Sequence, residues 1–146
     1  MDEIDKKIIQ ILRQDGRASY KNIGKKVGLS EGAVRIRIKK LMESGVIKKF
    51  TIETGLSGGA EALSLISVSP SIPTSKISAI LRETPNIKEV YEVTGEYDIV
   101  VIISAADITQ VNECVEKIRK IEGVLNTNTM IVLSRGEIAY PKTFQN

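Results

Sequence analysis

Residues 29–47 combine basic and apolar side chains with a spacing that suits contact with a polyanion. If this stretch is helical, its residues advance by about 100° each, which separates the two chemistries onto opposite sides. The apolar stripe consists of Val34, Ile38, Leu41 and Met42, and the opposite side carries Gly32, Arg35, Ile36, Lys39 and Lys40. Arginine forms paired hydrogen bonds with guanine, lysine contacts phosphates, and an outward isoleucine can touch a thymine methyl. The pattern therefore predicts a helix face that meets double-stranded DNA.

The ends of this predicted helix are marked by Ser30 and Gly45. Ser30 suits the N-cap because its hydroxyl accepts a hydrogen bond from an N–H that the first turn leaves unpaired. Glu31 places a negative charge at the positive end of the helix dipole, and Gly45 suits the C-terminal stop. The sequence thus predicts a single helix of about four turns.

A basic helix face is most often an ordinary solvated surface, and two features argue against that interpretation here. Gly32 costs about 1 kcal/mol relative to alanine inside a helix, a loss that is explained if the backbone must approach a partner closely. Between Glu31 and Glu43 every charged residue is positive, whereas a solvated face usually interleaves acids four residues away. We therefore favour the DNA interpretation.

Composition excludes several other classes. The 146 residues contain no histidine and one cysteine, Cys114, which removes the commonest general base and metal ligand and any intramolecular disulfide. No run of about 18 apolar residues is present, and the N-terminal residues lack a signal-peptide pattern. We expect a cytoplasmic protein that is not an enzyme and has no catalytic residues, metal site or cofactor.

The net charge of +3 conceals a difference between the two parts of the chain. Residues 1–50 contain 13 Lys/Arg and 6 Asp/Glu, a net charge of +7, whereas residues 51–146 contain 8 and 12, a net charge of −4. A basic module beside an acidic one indicates a polyanionic partner for the first part only. The division also marks a domain boundary.

Two shorter helical patterns precede the basic helix. Apolar spacing predicts a first helix over residues 2–14 and a second from the Ser19 N-cap to Gly28. The connection Gly28-Leu29-Ser30 then leads into the basic helix. Two helices joined by a tight turn containing glycine form a helix-turn-helix, whose second helix can enter the major groove.

Other cations flank this motif. The segment Val46–Ile52 is rich in β-forming residues and predicts a short strand that packs against the helices, with lysines at its edge. Arg37, beside the apolar stripe, either clamps a phosphate or braces the core with its aliphatic stem. Lys25 and Lys26 are further phosphate candidates. The predicted DNA-contacting set is Ser30, Glu31, Gly32, Arg35, Ile36, Arg37, Lys39, Lys40, Lys48 and Lys49.

The second part of the chain has a different order of elements. Strand patterns over residues 63–69, 87–94, 97–104 and 124–133 alternate with two amphipathic helices in the order βαββαβ. Gly95-Glu96 joins the middle strands, where glycine in first place suits a two-residue type II′ hairpin. We predict an α+β protein with a winged helix-turn-helix domain over residues 1–52, a glycine-rich hinge over residues 53–62, and a ferredoxin-like domain over residues 63–146.

Helices on one face of such a sheet leave the other face open. The run Ile99–Ile103 is apolar on both sides of its strand, and an exposed apolar face of this kind is normally an interface. We therefore predict a dimer joined sheet to sheet, which gives two helix-turn-helix units the symmetry of a palindromic DNA site.

The sequence resembles the Lrp/AsnC, or feast/famine, transcriptional regulators. The resemblance rests on MDEIDKKIIQILRQDGRASYKNIGKKVGLS, LSEGAVRIRIKKLMESGVI and the TGEYDIVV hairpin, in that order, and covers nearly the whole chain. It implies a RAM/ACT-like second domain, a dimer built through the C-terminal sheets, and four dimers closed into an octameric ring. It also implies regulation by a small molecule, usually an amino acid.

Carried over residue by residue, the family's hairpin signature falls on Gly95, Glu96, Tyr97 and Asp98. The resemblance places this hairpin where effectors are held between dimers, and an Asp98 carboxylate suits an α-ammonium group. Thr127 and Thr129 add hydroxyls on one face of the last strand. The alternative is structural: Gly95 makes the turn, and Asp98 pairs with a nearby backbone N–H.

Two other functions use the same features differently. An architectural DNA-binding protein would need the basic helix but no ligand and would show little sequence preference. A ligand sensor resembling ACT-type domains would leave the net charge of +7 in residues 1–50 unexplained. A regulator that binds both DNA and an amino acid accounts for both parts of the chain.

Overall fold

The computed structural model describes residues 1–53 and 59–136, which fall into two compact units. The helical unit comprises Met1–Glu53, and the sheet unit comprises the described residues from 59 to 136. Residues 54–58 of the predicted hinge, and residues 137–146 of the predicted second domain, lie outside the described residues.

The helical unit contains α1 (Glu3–Gln14), α2 (Tyr20–Val27) and α3 (Glu31–Glu43). Each helix begins at a side-chain cap: the oxygens of Asp2, Ser19 and Ser30 accept hydrogen bonds from backbone N–H groups three residues on. One core joins the three helices and is formed by Ile8, Ile11, Ile23, Val34 and Ile38. The predicted helix-turn-helix is confirmed.

Two details of the predicted helices change. Met42 is 45% exposed and does not belong to the buried stripe of α3, because it lies on the edge of that stripe in the last turn. Gly24, which helix propensity marks as a weak point of α2, is required for packing: a Cβ there would lie 2.4 Å from the carbonyl oxygen of Leu29.

The predicted strand over Val46–Ile52 is wrong. Residues 46–53 contain no strand, and Ile52 is 81% exposed. Only Ile47 of this segment packs against the helical core. A strand needs a neighbour for its N–H and C=O groups, and none of the described residues pairs with this segment. Lys48 and Lys49 therefore extend from irregular chain rather than from the strand edge of a wing.

The sheet unit confirms the predicted order βαββαβ. It contains β1 (Ala60–Val68), α4 (Thr74–Arg82), β2 (Ile87–Glu92), β3 (Ile99–Ala105), α5 (Ile108–Arg119) and β4 (Val124–Ile131). The strands pair antiparallel in the order β2-β3-β1-β4. Strand β1 begins three residues earlier than predicted, and β4 ends two residues earlier.

The two faces of this sheet differ in burial. Alternate residues such as Ile66, Ile99 and Val101 join α4 and α5 in a core from which water is excluded. The opposite face carries Leu63 and Leu65 of β1, paired in register with Ile102 and Val100 of β3, and these side chains are only half-buried. The fold therefore leaves an apolar sheet face that no described residue fully covers.

No helix within the described residues is both long enough and apolar enough to cross a membrane.

Candidate functional site

The exposed side of α3 is built by its N-cap and its buried stripe. The Ser30 hydroxyl accepts a hydrogen bond from the Ala33 N–H at 3.2 Å, which starts the helix. Burial of Val34, Ile38 and Leu41 then fixes the helix rotation. The positions left exposed along the first three turns are Glu31, Gly32, Arg35, Ile36, Lys39 and Lys40, and Met42 and Glu43 are exposed at the end of the helix.

The structure thus brings together most of the predicted DNA-contacting residues. Ile36 is 58% exposed although it is large and apolar. A Cβ added to Gly32 would meet no heavy atom within 4 Å, so packing in the chain itself does not explain this glycine. The backbone at Gly32 is exposed, and its approach to a partner stays a prediction.

Acidic residues at both ends of α3 accept two of its cations. Arg35 Nη2 lies 3.0 Å from Glu31 Oε1, and Lys39 Nζ lies 3.8 Å from Glu43 Oε1. The Arg35 guanidinium also lies over the Tyr20 ring, 5.1 Å from its centroid. No acidic residue lies between Glu31 and Glu43 in the sequence, yet Arg35 and Lys39 are both paired with the acids at the two ends of α3. Exposed pairs of this kind contribute only about 0.3–0.5 kcal/mol, so a phosphate or a base edge can replace them.

Arg37 differs from its neighbours on α3. Its side chain is 30% exposed, and Nη1 lies 2.7 Å from Asp2 Oδ2 and 2.8 Å from Asp5 Oδ1. The Asp5 N–H and the Arg37 guanidinium lower the pKa of Asp2 by hydrogen bonding, and hydrogen bonds to Asp5 and Asp2 raise the pKa of Arg37. Ion pairs of the guanidinium thus join α3 to the start of α1, and the predicted contact of the aliphatic stem with the core stays a prediction.

The remaining lysines of the predicted set lie elsewhere on the helical unit. Lys25 and Lys26 are exposed in the last turn of α2. Lys48 and Lys49 are exposed in the irregular segment after α3. All four side chains extend into solvent and can follow a phosphate backbone.

The predicted two-residue hairpin of the sheet unit is a longer loop. Strand β2 ends at Glu92 and β3 begins at Ile99, so the effector loop, as we call residues 93–98, has six residues. Gly95 has a φ of 116°, a conformation that favours glycine. Asp98 bonds to β1 and also closes this longer loop, because its carbonyl accepts from the Val93 N–H.

Asp98 makes three backbone connections at the base of the effector loop. Its Oδ2 accepts from the Val68 N–H at 2.8 Å, and its own N–H donates to the Ile66 carbonyl at 2.9 Å. Its carbonyl accepts from the Val93 N–H at 2.9 Å. The structural alternative for Asp98 is therefore present in the fold, since one carboxylate oxygen already has a backbone partner.

The two threonines lie on one face of β4, as predicted, but that face is turned toward the helices. Thr127 Oγ1 accepts from Arg119 Nε at 3.0 Å, and the Thr129 hydroxyl lies 2.9 Å from the Ser64 hydroxyl. The Tyr97 hydroxyl instead accepts from Asn128 Nδ2 at 3.3 Å, on the opposite face of β4. The effector loop and the threonines are thus separated by the strand.

A groove of about 280 Å³ runs beside Thr129, between α5 and β4. Arg119 and Asn112 add a guanidinium and an amide to its apolar walls. Its lining consists of Ile108, Val111, Asn112, Val115, Arg119, Thr129 and Ile131. Sequence reasoning missed Asn112 and Arg119. Their spacing of seven residues places them on one flank of α5, and this helix directly precedes the strand that it covers.

Metal and thiol chemistry find no support in the described part of the chain. Within residues 1–53 and 59–136, no group of three His, Cys, Asp or Glu is arranged to hold a metal ion. Burial raises the pKa of the Cys114 thiol, which lies 3.6 Å from the Pro85 carbonyl oxygen. Cys114 is a packing residue of the sheet unit.

A helix-turn-helix with an exposed basic helix is an arrangement typical of DNA-binding proteins, and here a βαββαβ unit follows it. Residues 1–42 match the AsnC-type helix-turn-helix domain, and residues 61–137 match the Lrp/AsnC ligand binding domain. The chain belongs to the Lrp/AsnC family of transcriptional regulators, which are not enzymes.

Individual relatives agree with this assignment. The chain is 43% identical over 133 residues to the HTH-type transcriptional regulator LysM of Saccharolobus solfataricus, covering 91% of this chain and 94% of the relative. It is 45% identical over 136 residues to FL11 of Pyrococcus horikoshii, covering 91% and 89%. A regulator from Neisseria meningitidis, solved in complex with L-Met, has the same fold with a TM-score of 0.82 at 22% identity, covering 94% of this chain and 93% of the other.

Proposed function

We propose that this regulator binds specific DNA sequences through α3 and that its DNA binding responds to an amino acid. One observation carries the DNA part: α3 turns Arg35, Ile36 and the open backbone of Gly32 to the same exposed side. A helix in the major groove reads bases through such a side, and a glycine lets its backbone approach the duplex.

Each residue of this side has a distinct role in the proposal. Arg35 reads a guanine through two hydrogen bonds, and Ile36 contacts a thymine methyl. Ser30 caps the helix N-terminus that faces the duplex, and Glu31 holds the Arg35 guanidinium until a base replaces it. The phosphate contacts come from Lys25, Lys26, Lys39, Lys40, Lys48 and Lys49, which fix the register of the unit without reading sequence.

The ligand-binding domain takes an amino acid in this proposal. The groove beside Thr129 supplies what an amino acid needs: the Arg119 guanidinium for the α-carboxylate and apolar walls for a side chain. At the effector loop, Glu96 and Asp98 Oδ1 suit an α-ammonium group, and Gly95 permits close backbone approach. The Tyr97 hydroxyl, which accepts from Asn128 Nδ2, adds a further polar group. The L-Met complex of the Neisseria meningitidis protein makes an amino acid the first ligand class to test.

Separation of the threonines from the effector loop suggests how the ligand acts. If one ligand contacts the groove of one dimer and the loop of another, it favours the assembly that contains both. We propose a dimer joined through the open sheet face around Leu65 and Val100, with dimers closing into an octamer. A larger particle grips more DNA sites at once, which changes apparent affinity.

Selection from random DNA tests the first part of the proposal. The full chain, mixed with a pool of random duplexes at fixed salt, is expected to enrich a pseudo-palindromic sequence that it binds at least about 10³-fold more tightly than bulk DNA. If the affinity for the enriched sequence is about the same as the affinity for bulk DNA, the chain is an architectural DNA-binding protein instead. We place this activity in the cytoplasm, where such a regulator meets its DNA.

A thermal-shift screen against the twenty amino acids tests the second part. We expect at least one to raise the melting temperature, because a ligand that binds only the folded state stabilises it. Light scattering with that amino acid is then expected to report a changed mass. No thermal shift, or an unchanged mass together with unchanged DNA footprints, would contradict the proposed effector response.

A further inference from the structure

Arg37 lies on the boundary between the buried and exposed sides of α3. Its position follows from the helix periodicity: Val34, Ile38 and Leu41 face the core, and Arg37 is adjacent to them. Its guanidinium therefore points toward α1 rather than away from the protein, and it reaches both acids at the start of that helix.

The two carboxylates that receive Arg37 are already fixed by backbone hydrogen bonds. Asp2 Oδ1 accepts from the Asp5 N–H at 2.8 Å, and Asp5 Oδ2 accepts from the Asp2 N–H at 3.0 Å. This reciprocal capping box holds both side chains at the N-terminus of α1. Each carboxylate uses its other oxygen for Arg37, so the guanidinium joins a preformed acceptor pair.

Among the ion pairs of the described residues, only the cluster formed by Arg37, Asp2 and Asp5 links two helices. Arg35 and Lys39 pair with acids four residues away on α3 itself, and such pairs do not fix one helix against another. The partners of Arg37 are 32 and 35 residues away on α1 and its N-cap. They therefore restrain how α3 lies against α1.

The local charge also argues against a phosphate contact. Two carboxylates lie within 3 Å of one guanidinium nitrogen, so acidic groups outnumber the basic group in this cluster. A phosphate approaching Arg37 meets Asp2 and Asp5 as well, and both Nη1 hydrogen bonds of the guanidinium are already made to those carboxylates. The cation of Arg37 is therefore already neutralised where it would meet DNA.

We propose that Arg37 is a positioning residue that orients α3 through Asp2 and Asp5, and that it does not contact DNA. The inference rests on the proposed use of α3 in the major groove. Tilting α3 by even a small angle moves Arg35 relative to the base edges, whereas flexible lysines still reach phosphates. Loss of the cluster should therefore reduce discrimination between sequences more than it reduces binding to bulk DNA.

The decisive variant is Asp5→Asn, with Glu3→Gln as its matched control. Both remove one negative charge from the first turn of α1, but Glu3 pairs with Lys6 in the same helix. The amide introduced by D5N retains an oxygen for the capping box. We expect D5N to weaken binding to the selected site, raising Kd about threefold to tenfold. E3Q is expected to bind as tightly as the parent or slightly more tightly. If D5N binds the selected site as tightly as E3Q or more tightly, Arg37 is not a positioning residue.

Arg37→Gln separates positioning from phosphate contact and from a purely structural role. We expect R37Q to lower the ratio of specific to non-specific affinity while the slope of log K against log[salt] stays unchanged. A slope reduced by about 0.9 for each bound helical unit, with the ratio unchanged, would show a phosphate contact and overturn the proposal. A lowered melting temperature with both quantities unchanged would show a structural role and overturn it too.

The variant Arg35→Ala, measured in parallel, shows whether a negative result concerns the role of Arg37 or the proposed role of α3 itself. If R35A changes sequence preference and D5N does not, the role of α3 stands and the role of Arg37 fails. If R35A leaves every sequence preference unchanged, the base-reading role itself fails, and the D5N result then reports on another reading residue of α3.

Discussion

The two candidate sites of this protein differ in how they are assembled. On the helical unit, one capped helix places the proposed base-reading residues Arg35 and Ile36, together with Gly32, on one exposed side. On the sheet unit, the proposed ligand contacts are divided by β4, with the effector loop near Asn128 and the threonines beside α5. The proposed DNA-contacting surface is therefore formed within one chain, whereas the proposed ligand-binding residues form two separate groups.

This difference has a physical origin. A helix surface is defined by a local periodicity of about 3.6 residues, so a single element specifies its own exposed face. A site on a sheet depends on which strands pair and which face each residue takes, and both follow from tertiary structure. Divided ligand contacts are also what a response through assembly requires, because residues that meet only between copies are sensitive to association.

The largest expected effect is on stability, and it compares two isoleucines on opposite faces of α3. Ile38 is 1% exposed in the helical core, and Ile36 is 58% exposed. Ile38→Ala should reduce the free energy of unfolding of the helical unit by about 2–5 kcal/mol. Ile36→Ala should change it by less than about 0.5 kcal/mol but weaken DNA binding. Urea unfolding followed by circular dichroism, with a DNA titration of the same samples, checks both. Equal effects on stability would contradict the assigned faces.

Two glycines give the next largest contrast. Gly24→Ala places a Cβ 2.4 Å from the Leu29 carbonyl oxygen and should destabilise the unit by about 1–3 kcal/mol. Gly32→Ala meets open space and should stabilise α3 by about 1 kcal/mol. Thermal unfolding measures both changes. The DNA proposal adds that G32A, although more stable, binds DNA less tightly; unchanged affinity would mean that the duplex does not approach this backbone.

The groove of the sheet unit is tested by Arg119→Met. This change removes the guanidinium beside Thr127 while leaving an apolar stem, and its exposed position predicts a stability change below about 0.5 kcal/mol. We expect R119M to lose the melting-temperature increase caused by the active amino acid. Arg82→Met, in the exposed last turn of α4, is the matched control and should keep it. Loss in both variants, or in neither, would exclude Arg119 as the carboxylate partner.

The smallest expected effect is a pH dependence of the Arg37 cluster. The pKa of Asp2 is lowered below its ordinary value of 3.8, so the folded state favours the ionised carboxylate. Its contribution to stability is therefore complete above about pH 4 and is lost as the pH falls through the lower folded value. Unfolding in urea at about pH 7 and about pH 3 should show that the stability difference between the parent and R37Q shrinks in acid. Arg13→Gln, an exposed change in the last turn of α1, should show no such trend.

Much of this architecture was predictable from the sequence, and the exceptions share one cause. Caps, turns and apolar spacing predicted the helix-turn-helix and the order βαββαβ, because these features are local. The predicted strand over Val46–Ile52 was wrong because β-forming residues do not specify a pairing partner. The predicted two-residue turn at Gly95 was wrong because Asp98 forms hydrogen bonds with residues of β1, which local sequence does not show.

The candidate sites divide in the same way. The exposed residues of α3 followed from periodicity, but the capture of Arg37 by Asp2 and Asp5 depends on how α1 packs against α3. The threonines were correctly placed on one face of β4, yet no local pattern shows that α5 covers that face with Arg119. Contacts between residues that are distant in the sequence could be identified only from the structure.

The central claim, that α3 reads DNA sequence through Arg35, is tested most directly by Arg35→Ala. Kd values for the selected site and for duplexes with each base pair substituted should show that R35A loses about 1–3 kcal/mol of discrimination at one position in each half-site. Lys40→Ala, on the same exposed side, serves as the control and should weaken binding to all of these duplexes about equally. If R35A also weakens every duplex equally, Arg35 contacts phosphate, and the claim that it reads a base is contradicted.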